Sequence, residues 1–242
     1  MVAMRSVKVV SFDVWNTLLR LDAVFDAVAE RIARILGKDL EEVRKIIDGV
    51  YQEARRFRRL REASVDEVLD YSRRLMSERL GLGIDVVLAT IREVFRTIEP
   101  SRVLFPDTLP CLEKLSSMGI DMGVVGNVLF WSSRETEELL DRVGIARFFK
   151  VQIYADRIGV SKPSRGIFLE LCRALNVDPS NVIHVGDSVI EDVGGALSSG
   201  MKAVLIKRNL REPKIIPELG IAIVPSLTHV PQLIEKNLLQ KP

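Results

Sequence analysis

The sequence predicts an α/β fold: a Rossmann-like parallel sheet covered by helices on both faces, with an inserted all-helical cap domain. Three observations predict it. After Pro100, short apolar and β-branched runs alternate with amphipathic stretches, the pattern of parallel strands buried on both faces. A first apolar run near the N-terminus is separated from the others by the helical, highly charged stretch 21–99. Polar residues stand at the ends of three of the runs, where open parallel sheets bind their ligands.

The elements follow in order. Residues 7–12 (VKVVSF) read as a buried strand that stops at Asp13. In VFDAVAERIARIL, Val24, Val28, Ile32, Ile35 and Leu36 recur at helical spacing. LEEVRKIIDGVYQEARRF, VDEVLDYSRRLMSERLG and IDVVLATIREVF continue in the same way. No strand pattern interrupts them, so residues 21–99 are expected to form the cap and residues 1–20 with 100–242 the α/β core. Beyond Pro100, strands are expected over 120–127, 151–156, 181–187, 202–207 and 221–225. Helices are expected over 108–118, 132–143, 164–175, 190–199 and 228–239.

Composition narrows the function. With 47% apolar and 28% charged residues, the chain has the balance of a soluble protein with a sizeable core. A formal charge of +2 gives no reason to expect nucleic acid as a partner. No apolar run reaches the roughly 18 residues of a membrane span, and Met1 to Val10 lacks a signal-peptide pattern. A cytoplasmic protein without a membrane partner is therefore expected. Cys111 and Cys172 sit beside leucines and read as small buried hydrophobes. Scarce Asn and Gln beside abundant Arg and Glu point to a thermophilic source.

Four segments carry candidate chemistry. Asp13 at a strand end suits a nucleophile, a metal ligand or a simple turn cap. Thr17, in a turn begun by Asn16, offers a hydroxyl for an anion. In GVVGNV, Gly126 and Asn127 end a strand; Asn127 can donate to an oxyanion, although Gly-Asn is also ordinary turn chemistry. Lys162, just before Pro163, can neutralise a negative intermediate. The strongest segment is VIHVGDSVIEDVGGA: after Gly186, Asp187 and Asp192 can face one hard cation, while Ser188 can also cap the next helix. His184, on the alternate side of that strand, reads as a core residue.

In this order and spacing, the segments resemble the motifs of the haloacid dehalogenase (HAD) superfamily, over nearly the whole chain. The resemblance implies a hydrolase in which Asp13 attacks phosphorus and forms an aspartyl phosphate that water then hydrolyses. Thr17 and Lys162 would steady the negative charge. Magnesium would be held by Asp13, the backbone carbonyl of Trp15 and Asp187, with Asp192 completing or orienting the shell. Gly126, Asn127, Trp15 and Ser188 would border the phosphate. A small anionic molecule is the expected substrate, and a monomer or homodimer the expected assembly.

Two residues depart from the family pattern. Trp15 stands where its phosphatases carry a second Asp to protonate the leaving oxygen, and Gly126 where they carry Ser or Thr. Family members that cleave carbon–halogen bonds without metal carry a bulky aromatic at the Trp15 place, so a 2-haloacid dehalogenase is the rival reading. Those enzymes lack the Gly-Asp-Ser motif that Asp187 preserves here, which favours the phosphatase. A catalytically weak binding protein is the third reading. In the cap, RRFRRLR (55–61) is an anion-attracting patch or a solvated face paired with Glu53 and Glu62, and most of it is assigned to the solvated face. Phe25, Tyr51, Phe57 and Tyr71 are expected to pack the cap rather than meet substrate.

Overall fold

The computed structural model describes residues 7–60 and 63–239. Strand β1 (Val9–Phe12) leads into four helices: α1 (Leu21–Leu36), α2 (Leu40–Leu60), α3 (Val65–Leu80) and α4 (Ile84–Thr97). One-turn α5 (Pro100–Val103) and α6 (Thr108–Ser117) return the chain to β2 (Asp121–Gly126). Then come α7 (Ser133–Arg142), β3 (Val151–Tyr154), one-turn α8 (Ala155–Ile158), α9 (Arg165–Leu175) and β4 (Val182–Gly186). A π-helical turn (Val189–Gly194) runs into α10 (Gly195–Ser198), followed by β5 (Lys202–Ile206), β6 (Lys214–Ile216), β7 (Ile221–Val224) and α11 (His229–Glu235). No helix is long and apolar enough to cross a membrane among the described residues.

The strands form one sheet in the order β3-β2-β1-β4-β5-β7-β6, parallel except for β6. Strand β1 lies between β2 and β4, with Phe12 level with Val124 and Val185. That register delivers the residues after Phe12, Gly126 and Gly186 to the same carboxyl edge, where the strand order reverses. Alternation along β1 sends Val10 and Phe12 to one apolar cluster and Val9 to the other. The cluster holding Phe12 also holds Val24, Val28, Ile32, Ile47 and Ile91, so the helical insertion is packed onto the same core.

Local sequence explains the insertion. Helix α1 ends on Gly37 in the left-handed conformation, and α3 starts with a Ser64–Glu67 capping box. Ile35, expected on the buried stripe, is 54% exposed in the last turn of α1. The strand expected over 151–156 stops at Tyr154, because Ala155–Ile158 make a helical turn closed by Gly159. The helix expected over 190–199 opens as the π-helical turn. Strand β6 was not foreseen, being three exposed residues after a proline on the sheet edge.

Gly126 is opposite Tyr154 in the β2–β3 register. A Cβ there would lie 2.7 Å from two carbons of the Tyr154 ring, and Tyr154 is 1% exposed. The place of a Ser or Thr side chain is thus filled by an aromatic ring. Gly126→Ala should lower unfolding free energy by about 1–3 kcal/mol, the usual penalty of overpacking. Denaturant titration checks this, and wild-type stability would reject the packing argument.

Candidate active site

The turn after β1 is closed by main-chain bonds. Leu18 and Leu19 both donate to the Val14 carbonyl at 2.9 Å, and Asn16 donates to Leu19 at 2.6 Å. Asn16 adopts φ 62°, a left-handed conformation its short amide tolerates. The Trp15 carbonyl takes no backbone hydrogen bond among the described residues. Asp13 is anchored by its own amide, which donates to Val185 on β4 at 2.8 Å.

Lys162 organises the charge. Its ammonium, on a side chain 1% exposed, donates to Asp13 Oδ1 at 2.6 Å and Asp192 Oδ1 at 2.7 Å. Asn127 fixes the lysine's main chain: Oδ1 accepts from Lys162 N at 2.8 Å and Nδ2 donates to Lys162 O at 3.1 Å. One Nδ2 hydrogen is left for the cavity. Asn127 thus serves first to seat Lys162, a role sequence reasoning missed.

Asp192 is held from three sides. Oδ1 also meets His184 Nε2 at 3.2 Å, and Oδ2 accepts from the Ser188 amide at 2.9 Å. His184 Nδ1 faces Ser11 Oγ at 2.9 Å. Burial lowers the His184 pKa, so the ring is neutral near pH 7; the tautomer with hydrogen on Nε2 satisfies both contacts. His184 is a core residue, as expected, and also orients a site carboxylate. Gly186 makes room for this arrangement, since a Cβ there would lie 2.2 Å from Asp192 Cγ.

Asp187 differs, because its carboxylate has no hydrogen bond or ion pair among the described residues. One oxygen each from Asp13, Asp187 and Asp192 can lie within 4.8 Å of the others. Burial raises the Asp13 pKa to about 7, with Asp192 and Asp187 adding to the rise and Lys162 opposing it. Burial and Asp192 likewise raise Asp187 to about 6. Although burial opposes it, Lys162 and His184 hold Asp192 well below the usual carboxylate range. Against its own burial, Lys162 is held above its usual range by Asp13 and Asp192. Three carboxylates thus share one ammonium, a charge deficit that a divalent cation fits. The donors are all hard oxygens, with the free Trp15 carbonyl beside Asp13.

Some expected site residues are elsewhere. Thr17 is fully buried, does not line the cavity, and its hydroxyl has no hydrogen-bond partner among the described residues, while its carbonyl accepts from Arg208 at 2.9 Å. Ser188 caps the π-helical turn, its hydroxyl accepting from the Glu191 amide at 3.2 Å. Gly126 faces Tyr154 rather than the cavity. None of these three offers a side-chain contact to the cavity.

Across the cavity stands the helical insertion. Arg58 Nη2 reaches both oxygens of Glu191 at 2.9 Å, and Arg59 Nε reaches Glu191 Oε1 at 2.8 Å. Arg58 also donates to the Val128 carbonyl at 3.3 Å. The assignment of most of 55–61 to a solvated face is therefore corrected. Glu53 pairs instead with Arg79 and Tyr71, while Arg61 and Glu62 lie outside the described residues. Glu191 carried no sequence signal beyond the motif around it.

The cavity wall between these parts is aromatic. Trp15 meets Trp131 at 5.2 Å and Phe95 at 6.0 Å between ring centroids. Phe25 and Tyr51 pack against each other at 5.2 Å and also line the cavity, whereas Phe57 and Tyr71 stack together at 4.0 Å outside it. The run VLFW directly after Asn127 was the overlooked signal for Phe130 and Trp131. The enclosed space is about 60 Å³. That is the room of about four or five waters at 10–15 Å³ each.

Comparison with known proteins agrees with this geometry. The family model for haloacid dehalogenase-like hydrolases matches residues 7–200. A glyceraldehyde 3-phosphate phosphatase from Methanopyrus kandleri is 31% identical over 215 residues, 84% of each chain. The crystal structure of a HAD phosphatase from Thermococcus onnurineus is 25% identical with a TM-score of 0.64, over 94% of this chain and 97% of that one. The L-2-haloacid dehalogenase of Xanthobacter autotrophicus, 18% identical with a TM-score of 0.69 over 95% and 98% of the chains, shares the fold. From the matched residues and the carboxylate–lysine cluster at the sheet edge, the chain belongs to the haloacid dehalogenase-like hydrolase family.

Proposed function

We propose that the chain is a magnesium-dependent phosphatase for a small phosphorylated metabolite, with Asp13 as nucleophile. The observation that carries this reading is the unpaired Asp187 beside the Asp13–Lys162–Asp192 cluster. In a metal-free haloacid dehalogenase, a second buried carboxylate would repel the substrate's own. The relative from Methanopyrus kandleri, by its name, dephosphorylates a three-carbon phosphate, which supports a small substrate. We also propose that residues 21–99 act as a cap on a core of 1–20 and 100–242, excluding water when closed.

The chain's own groups suggest the steps. An Asp13 oxygen attacks phosphorus in line, and the bond to the leaving oxygen breaks, giving an aspartyl phosphate. Lys162 neutralises charge on the transferred group, and its bond to Asp192 holds it in place. Water then attacks phosphorus, releasing phosphate and restoring Asp13. Asp13, the Trp15 carbonyl and Asp187 would hold magnesium, with Asp192 orienting the shell. Bound magnesium would neutralise phosphoryl oxygens and align them for attack. Trp15 takes the place, two residues after Asp13, of the carboxylic acid that would protonate a departing alkoxide.

Purified protein should hydrolyse p-nitrophenyl phosphate and acetyl phosphate only with magnesium, and Asp13→Asn should remove that turnover. Activity that survives chelation would reject the reading. Because a general acid is typically worth about 10²–10⁴-fold, aryl and acyl phosphates should outpace simple alkyl phosphates by a margin of that order. Comparable kcat values for the two classes would show that another acid acts.

Cation affinity should depend on pH. With raised pKa values in the folded protein, Asp13 and Asp187 hold protons up to about 7 and about 6. A cation must displace those protons, so magnesium affinity should weaken as pH falls from 8 to 5. The sign for stability is opposite in the metal-free protein. These two groups stabilise the fold below the ordinary carboxyl value of 3.8, and that contribution is lost as pH rises through about 6–7. Calorimetric titration at several pH values checks the affinity; a flat profile would contradict the raised carboxylates.

A further inference from the structure

Arg55, Arg58 and Arg59 lie at i, i+3 and i+4 on α2 and so share one helix face. Two of them are committed to the core, with Glu191 taking both guanidinium groups. Behind the carboxylates that line the cavity, Lys162 is committed to Asp13 and Asp192. Arg55 is the remaining cation on the wall: it lines the cavity and has no ion pair among the described residues. Its guanidinium lies over the Tyr51 ring, 5.2 Å from the centroid, which limits its swing. The clamp one turn further along α2 holds this face against the core and sets where Arg55 stands.

We infer that Arg55 is a specificity-determining residue, binding a carboxylate on the substrate at the end remote from the phosphoryl group. This deepens the phosphatase reading and rests on it. The substrate class is then a short phosphorylated carboxylic acid. Its phosphoryl group meets Asp13 and Lys162, its carbon body lies along Trp15 and Phe130, and its carboxylate takes the Arg55 fork. Three features support a carboxylate over a second phosphate or a neutral group. The space is small, about 60 Å³. The planar guanidinium can give a carboxylate two parallel charged hydrogen bonds, which a neutral group cannot match. Arg55 is half-buried and makes no ion pair among the described residues, with Asp187 close enough to feel its charge but beyond ion-pair distance, so its fork is open to an anion.

The test compares 3-phosphoglycerate with glyceraldehyde 3-phosphate, which share a skeleton and a leaving oxygen and differ as carboxylate against aldehyde. Wild-type protein should prefer 3-phosphoglycerate in kcat/KM. Arg55→Gln should lower that preference tenfold to a hundredfold, mainly through KM, the range expected for a charged hydrogen-bonded contact. Arg56→Gln, an exposed neighbour that does not line the cavity, should leave the preference intact. A preference unchanged in Arg55→Gln, with both esters still hydrolysed, overturns the assignment and leaves the phosphatase reading standing. Equal losses in the Arg55 and Arg56 variants overturn it too, because they would mark a general field rather than a contact. Absence of magnesium-dependent turnover of these esters and of p-nitrophenyl phosphate would remove both readings together.

Discussion

The ammonium of Lys162 sits between Asp13 and Asp192, almost wholly out of water, and much of the site is arranged around that placement. A charge this deeply buried persists only with partners, and removing one member of such a group typically costs about 3–5 kcal/mol. The supports are therefore layered. Asn127 grips the lysine's main chain, His184 and the Ser188 amide hold Asp192, and Gly186 leaves the space Asp192 occupies. Asn127 follows β2, the supports of Asp192 lie on or just after β4, and Asp13 follows β1, so the parallel sheet is what makes the cluster possible.

The cluster is incomplete by charge. One lysine cannot balance three carboxylates, and the Asp187 carboxylate has no hydrogen bond or ion pair among the described residues, although Arg55 and Lys162 act on it at a distance. The deficit lies at the carboxyl edge of the sheet, where, on the proposed reading, it attracts a cation and then an anionic ester. The helical insertion answers with arginines of opposite sign. Glu191 neutralises part of that charge and gives α2 a fixed seat, so positive charge faces the cavity from a defined place.

The sheet and the site were legible in the sequence to different depths. Strand runs ending at Asp13, Asn127 and Asp187 were readable because alternation and β-branched composition report burial directly. Asp13 and Asp187 followed from their positions at those ends, and Lys162 and Asp192 from the order and spacing that resemble the family's motifs. Partners chosen by tertiary packing were not legible. Nothing local in Asn127 says that its amide will bond the main chain of Lys162, 35 residues away. Thr17 and Ser188 had the right chemistry and turned elsewhere, one into the core and one into a helix cap. Gly126 looked like a missing hydroxyl; in the structure it is room for Tyr154. Strand β6 is too short and exposed for periodicity to mark it.

The π-helical turn after β4 inverts the usual pattern of a buried helix start. Val189 and Ile190 face solvent at 57% and 58% exposure, while Glu191 and Asp192 are buried. Six residues thereby serve two masters, one side chain gripping the insertion and its neighbour gripping the lysine. Transplanting a foreign insertion onto this core would disturb the carboxylate–lysine cluster unless the turn travelled with it, so insertion and cluster are constrained to diversify as a unit.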